Sequence, residues 1–279
     1  MVDELARLGL DRAEGWSALL RREAGAAGRG ATAVLTTATG HALRLKAMCR
    51  GGLVARLWRD RFVGSGRLLA NLTLPLEALR RGVRTPRARA LLLVQGPPGL
   101  WRGWLAMDEI SGARDLARRL SGDQPPPTRV LVAALHAVRG MHDAGVEHLD
   151  LNLGNLAVVE SDDAVEGWIL DLDRARLWPG PVPGGRRSAA LLRLERSAAK
   201  LAHRGASAVA RVPPDAWGAW YAGDDRDMAR RIERHRRGGR LALALHRLGW
   251  GVSRPVSRRR RRPRRPSARR SRPPRGRSS

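Results

Sequence analysis

Asp150 and Asn155 lie five apart in one polar run, His148-Leu149-Asp150-Leu151-Asn152-Leu153-Gly154-Asn155. A further carboxylate, Asp171, follows the apolar piece Trp168-Ile169-Leu170 and opens Asp171-Leu172-Asp173. A carboxylate, an amide and a second carboxylate in that order suit phosphoryl transfer. The reaction needs an acceptor hydroxyl held in line with a γ-phosphate and positive charge on the phosphate oxygens. Asp150 would orient the hydroxyl and accept its proton. Asn155 and Asp171 would offer hard oxygen ligands to Mg²⁺, which takes few protein ligands and keeps waters and phosphate oxygens. The spacing H-x-D-L-x-x-x-N, with an aspartate after the next strands, is that of ATP-dependent phosphoryl transfer. His148 reads as a packed histidine that orients the loop backbone, not as a base.

Two more features belong to this chemistry. Only two of the 53 basic residues are lysines, Lys46 and Lys200. Lys46 would pair the α- and β-phosphates of ATP. Gly28 and Gly30, in Gly25-Ala26-Ala27-Gly28-Arg29-Gly30, would let backbone N–H groups approach the phosphates with no Cβ in the way. Each piece alone has a plainer reading: a turn for the glycines, a compositional accident for the lysine, a strand-ending turn for Asp171. Their joint order argues for a site.

The flanking elements must position these groups. Residues 1–24 are partly helical by pattern. Ala31 to Thr37 reads as a strand, Ala38 to His41 as a turn and Ala42 to Met48 as the returning strand that carries Lys46. Leu53 to Arg61 and Leu68 to Arg81 are helical by pattern, the second interrupted by Pro75 and stopped by Gly82 and Pro86. Ala88 to Gln95 and Trp101 to Met107 are strands. Beyond Met107 helices take over: a short one over Ala113 to Leu120, then Thr128 to Ala144 with Thr128 as N-cap and Val130, Leu131, Ala134, Leu135, Val138 and Met141 on one face. Leu156 to Val159 and Trp168 to Leu170 are short strands, and a helix resumes near Ser188. The division is therefore 1–107 as an N-terminal lobe, 108–253 as a C-terminal lobe and 254–279 as a tail. The fold class is α+β, with an antiparallel-sheet N-lobe and a mainly helical C-lobe.

Composition bounds the alternatives. A chain of 279 residues with 43% hydrophobic residues can bury a core. A single cysteine, Cys49, excludes an intramolecular disulfide and a cysteine-based zinc site, and fits a reducing cytoplasm. No uncharged stretch approaches the roughly 20 residues of a transmembrane helix, and Asp3 and Glu4 stand where a signal peptide carries positive charge. The net charge is +27, and the 13 arginines of residues 254–279 meet no acid. That tail reads as disordered and attractive to polyanions, whether an anionic membrane surface or nucleic acid. No specific nucleic-acid reading element is present: no C2H2 spacing, RNP aromatics or heptad zipper.

From about Gly28 to Lys200 the chain resembles the lipopolysaccharide kinase family. The residues that carry the resemblance are Gly28-Arg29-Gly30-Ala31-Thr32, Leu43-Arg44-Leu45-Lys46, Arg50-Gly51-Gly52-Leu53 and Arg59-Asp60-Arg61. They continue with Gly82 to Pro86, Ile110 to Leu116, His148 to Asn155, Ile169 to Arg174 and Leu191 to Lys200. The resemblance implies a bilobal protein-kinase-like fold, ATP with Mg²⁺, and transfer to a Kdo (3-deoxy-D-manno-octulosonic acid) or heptose hydroxyl of the lipopolysaccharide inner core. It also implies a cytoplasmic protein working at the inner face of the inner membrane on a lipid-linked precursor. One departure stands out. Where the pattern calls for a helix glutamate to hold the strand lysine, this chain has Asn71, and the nearest acid is Glu77, beyond Pro75. The alternatives are an aminoglycoside-phosphotransferase-like or atypical protein kinase, a pseudokinase, and a noncatalytic polyanion-binding protein.

Overall fold

The computed structural model describes residues 2–23, 32–49 and 60–250. Gly28, Gly30, the Arg50-Gly51-Gly52 run, the expected helix from Leu53 as far as Arg59, and the Arg-rich tail lie outside the described residues; Asp60 and Arg61 are not helical.

Two helices, α1 (Val2–Arg7) and α2 (Ala13–Glu23), precede the hairpin of β1 (Thr32–Thr36) and β2 (Ala42–Ala47). Strand β2 shows why its lysine is available. Successive side chains alternate between faces, so Leu43 and Leu45 are fully buried while Arg44 and Lys46 project from the other face. The leucines pack on Trp16 and Leu20 of α2, with Trp104 and Ala106 beside them. The apolar face of α2 thus fixes the register, and the register fixes which side Lys46 serves.

The short β3 (Phe62–Val63) leads into α3 (Gly66–Arg80), and then into β4 (Ala88–Gly96) and β5 (Leu100–Asp108). The five strands form one antiparallel sheet, with β2 and β3 along one edge of β5 and β4 along the other. Pro75 does not break α3, which runs continuously through it. Proline removes one N–H, so the Asn71 carbonyl four residues back loses its helical donor.

After β5 the chain turns into a mainly helical half: β6 (Arg114–Asp115), α4 (Leu116–Arg119), α5 (Thr128–Asp143), β7 (Val146–His148), β8 (Leu156–Glu160), β9 (Val165–Ile169), β10 (Ala175–Leu177), α6 (Gly184–His203), α7 (Ser207–Ala210), α8 (Ala216–Ala222) and α9 (Arg226–Trp250). The arrangement is α+β, an antiparallel sheet followed by a mainly helical half. Its core is the apolar face of α5, whose Val130, Leu131, Ala134, Leu135, Val138 and Met141 are all buried. Burying each of the Val, Leu and Met side chains among them contributes about 1.5–3 kcal/mol. Gly167 of β9 lies against the α5 backbone, where any Cβ would strike the Ala133 carbonyl.

Two details differ from the sequence reading. Residue 127, a proline, stands at the N-cap of α5, and Thr128 is already helical. The helix expected from Ala113 begins only at Leu116. Arg114 and Asp115 pair with β8, and the Asp115 carboxylate accepts from the Arg118 N–H at 2.7 Å as an N-cap. No helix among the described residues is long and apolar enough to cross a membrane.

Candidate active site

The β8–β9 hairpin brings together groups that are sixteen residues apart in sequence. Its register pairs Leu156 with Ile169. Asn155 immediately precedes β8 and Asp171 closely follows β9, and the Leu170 N–H donates to the Asn155 carbonyl at 2.9 Å. Both side chains line the same cleft, of about 1070 Å³, which matches the upper range for small-molecule sites.

Lys46 faces them from β2. Its Nζ lies 2.8 Å from Asp171 Oδ1, an ion pair that joins the sheet to the helical half. Asp171 alone among the described non-glycine residues has positive φ, at 59°. Aspartate tolerates that conformation better than most residues, and such strain concentrates at functional sites. Burial by itself would push the Asp171 carboxyl up. The charge and hydrogen bond of Lys46, with smaller help from His148 and Arg67, hold it below the usual carboxylate value. Neighbouring Asp173 goes the other way, raised by burial and by the Asp171 charge despite Arg67.

The polar loop is braced from within. Both asparagines donate to one acceptor: Asn152 Nδ2 and Asn155 Nδ2 reach the Asp150 carbonyl at 2.9 and 3.0 Å. Asn152 Oδ1 also accepts from the Gly154 N–H at 2.9 Å. With its amide nitrogen committed, Asn155 keeps its Oδ1 as an acceptor on the cleft wall. His148 is buried and ties the polar loop to the segment that leads into Asp171. The Asp150 N–H donates to Nδ1 at 3.2 Å, and Nε2 meets the Leu170 carbonyl at 3.1 Å. A carbonyl can only accept, so Nε2 carries the hydrogen and the ring is neutral. Burial lowers its pKa, against the Leu170 bond and the nearby carboxylates. The Asp150 side chain is exposed at the loop surface, open to an incoming hydroxyl.

The donor set fits Mg²⁺. Asn155 and Asp171 offer two hard oxygens on one cleft wall, and among the described residues no cluster of three or more His, Cys, Asp or Glu could hold an ion unaided. A site of this kind relies on waters and phosphate oxygens for the remaining ligands.

The family of the chain can now be stated. The family model described as lipopolysaccharide kinase (Kdo/WaaP) matches residues 16–212. The chain belongs to that family. It is a phosphotransferase acting on a sugar hydroxyl. The 3-deoxy-D-manno-octulosonic acid kinase of Vibrio parahaemolyticus is 33% identical over 169 residues, 59% of this chain and 68% of that protein. The namesake from Xanthomonas euvesicatoria is 33% identical over 189 residues, 64% of this chain and 70% of its own. A solved structure of WaaP in complex with acyl carrier protein aligns with TM-score 0.42 and 21% identity, over 74% of this chain and 83% of that one. Membership disfavours the aminoglycoside-type, protein-kinase and noncatalytic readings.

Within this lipopolysaccharide kinase family member, the α3 corner departs from the sequence reading. Glu77 does not replace the missing glutamate: it bonds Arg81 at 2.9 Å and approaches Arg80 at 3.6 Å. Arg81 in turn donates to the Trp178 carbonyl at 2.8 Å. Asn71 is buried at 5% exposure and lines a small cavity with Lys46, Asp171 and Asp173, while its Nδ2 bonds the Arg67 carbonyl at 3.0 Å. The charged link from α3 to the other half is Arg67, whose Nη2 lies 3.2 Å from Asp173 Oδ2. Sequence reasoning missed Arg67. No local signal marked it, because its partner Asp173 lies 106 residues further along the chain.

Proposed function

We propose that the chain transfers the γ-phosphoryl group of ATP, with Mg²⁺, to a hydroxyl of an acidic sugar in the inner core of a lipopolysaccharide precursor. The relatives' names favour 3-deoxy-D-manno-octulosonic acid over a heptose. The observation that carries the reading is the cleft itself. Lys46 meets Asp171 across it at 2.8 Å, and Asn155 lies on the wall beside them.

In this reading Asp150 accepts the hydroxyl proton as the acceptor oxygen bonds to the γ-phosphorus and the bond to the ADP oxygen breaks. Sugar and ATP become sugar phosphate and ADP, and the proton leaves Asp150 to solvent. His148 and the two asparagines fix the loop backbone, so Asp150 needs no rearrangement at the moment of reaction. Lys46 holds the α- and β-phosphates, exchanging one Asp171 contact for phosphate. Asn155 and Asp171 would hold Mg²⁺, which supplies neutralisation of phosphate charge when bound. By their place in the sequence, Gly28 and Gly30 would offer backbone N–H groups to the phosphates.

We further read residues 1–107 as the lobe that holds ATP phosphates and 108–253 as the lobe that holds the catalytic loop and acceptor. The enzyme would work in the cytoplasm, peripherally at the inner membrane, where the acceptor's lipid lies. Its charge of +27 supports attraction to anionic headgroups, and the 254–279 tail adds nonspecific polyanion binding. The test is phosphate transfer from γ-labelled ATP to a Kdo-bearing lipid A precursor. Label is expected on the sugar, abolished by EDTA and restored by Mg²⁺. Label remaining in ATP under every metal and acceptor condition would contradict the reading.

A further inference from the structure

The cleft that holds Lys46, Asn155 and Asp171 continues past them. On β2 the side chains on the face of Lys46 recur every second residue. In one direction the next is Met48, which is buried against Phe62 and Leu68. In the other it is Arg44, about 6.6 Å along the strand, and Arg44 lines the cleft. From the helical half Ala157, two residues beyond Asn155, lines the same cleft. Met107, which pairs with Arg44 in the sheet, and Ile110 form the side between them. Beside these apolar side chains sits an ion pair. The Glu109 carboxylate accepts from Arg44 Nε at 2.6 Å and from Nη2 at 2.5 Å.

Two parallel bonds to one carboxylate fix the plane of a guanidinium. They neutralise its charge along one edge and leave its faces open to stacking. The Arg44 side chain is 41% exposed and lies over no aromatic ring among the described residues. A structural tie is not what this place lacks. Strand β2 already pairs with β5 from Leu43 opposite Asp108 to Ala47 opposite Trp104, and the Glu109 N–H donates to the Ala42 carbonyl at 2.9 Å. An ion pair as exposed as this one stabilises little.

We propose that Arg44 is the residue on which the base of the nucleotide stacks, and that Glu109 is the positioning residue that holds its plane. This rests on the ATP reading above. With the phosphates at Lys46 and the Met48 end of the strand closed, the ribose carries the base along the cleft toward Arg44. A planar, weakly hydrated cation suits the face of an aromatic base. Ala157 leaves room for the base from the other half. Because Glu109 neutralises it, Arg44 does not compete with Lys46 for phosphate.

The test is calorimetric titration of the full chain with Mg²⁺-ATP and with Mg²⁺-tripolyphosphate, which carries phosphates and no base. The parent is expected to bind ATP more tightly. Arg44→Ala should weaken ATP about 5- to 30-fold, the range of one cation on an aromatic face, and leave tripolyphosphate within about twofold. Arg44→Lys keeps a charge for Glu109 but loses the plane, so it should show the same selective loss. It serves as the second variant if Arg44→Ala fails to fold. Glu109→Gln should lose less, again on ATP alone. Tripolyphosphate as tight as ATP on the parent overturns the proposal without any variant, since no base is then recognised. Equal losses on both ligands, full ATP affinity in Arg44→Lys, or no loss in Arg44→Ala also overturn it. In each of these cases ATP still binds the parent, and the functional reading stands. No binding of ATP by the parent overturns that reading and this inference with it.

Discussion

The catalytic loop and the α3 corner flank the same Asp171 but are built differently. In the loop, His148, Asn152 and Asn155 each satisfy a backbone group of the loop itself. At the corner, Lys46 leans on Asp171, the group it must partly release, and Asn71 offers the lysine no charge. Helix α3 keeps a charged tie to the Asp171-Leu172-Asp173 segment, but it runs from Arg67 to Asp173. The difference teaches that the half proposed to accept the proton is braced from within. The half proposed to hold phosphate is set by an ion pair across the cleft, with α3 anchored one turn away from Asn71.

The contrast can be broken on the side both regions share. Asp171→Asn removes the partner of Lys46 and the proposed metal oxygen together, so kcat is expected to fall about 10³-fold. It should also raise the Mg²⁺ concentration for half-activity. A loss below tenfold would mean that Asp171 is only a structural partner of the lysine.

Next in size is the α3 anchor. Arg67→Ala should cost about 10- to 100-fold, mainly through a higher KM for ATP, because α3 and the Lys46 wall lose their tie to Asp173. Adding Asp173→Asn should cost little more, since the pair acts as a unit. Additive losses in that double-mutant cycle would dissociate Arg67 from Asp173.

A third effect concerns stability. His142 is buried, and its Nδ1 shares a hydrogen bond with Tyr221 Oη at 2.8 Å. Burial, and then the Arg187 charge, push its pKa down to about 3, and burial raises Tyr221 to about 12, so the phenol keeps its proton. With the folded pKa depressed, the neutral ring's contribution is fully present above the unfolded value of about 6.5 and is lost as pH falls toward 3. Unfolding free energy should therefore drop by up to about 1.4 kcal/mol per pH unit below 6.5. His148, shifted in the same direction, adds to the slope. His142→Phe should flatten the slope in urea titrations from pH 7 to 5, and an unchanged slope would assign the effect elsewhere.

The smallest change sharpens the comparison. Asn71→Glu supplies the missing charge beside Lys46 and should raise activity a few-fold by drawing the lysine off Asp171. A large loss would show that the amide itself is required in its buried position.

Much of this site was legible because local rules and tertiary demands agree there. The alternation of Leu43, Arg44, Leu45 and Lys46 placed the lysine on a strand and on the face away from the leucines. The apolar spacing of α5 marked its buried face. The order of Asp150, Asn155 and Asp171 survives folding because a short hairpin joins them. Illegible features were those that depend on distant partners. Arg67 finds Asp173 across 106 residues, and nothing in either local sequence announces the other. Glu77 looked available for the lysine, yet Arg80 and Arg81 lie within one turn and take it. Asp115 was folded into an expected helix because the pattern could not show β8 beside it. Pro75 looked like a break, but packing on both sides carries α3 through it.

The most direct test of the central claim is a single-turnover measurement with γ-labelled ATP on the parent chain and Asp150→Asn, with Mg²⁺-ATP affinity measured alongside. Asp150 is exposed and not needed for packing, so the variant should fold and bind nucleotide as the parent does. Its transfer rate is expected to fall about 10²- to 10⁴-fold, the scale of a lost general base. Transfer at the parental rate would contradict the account, because the loop would then be braced around a carboxylate that takes no part in the reaction.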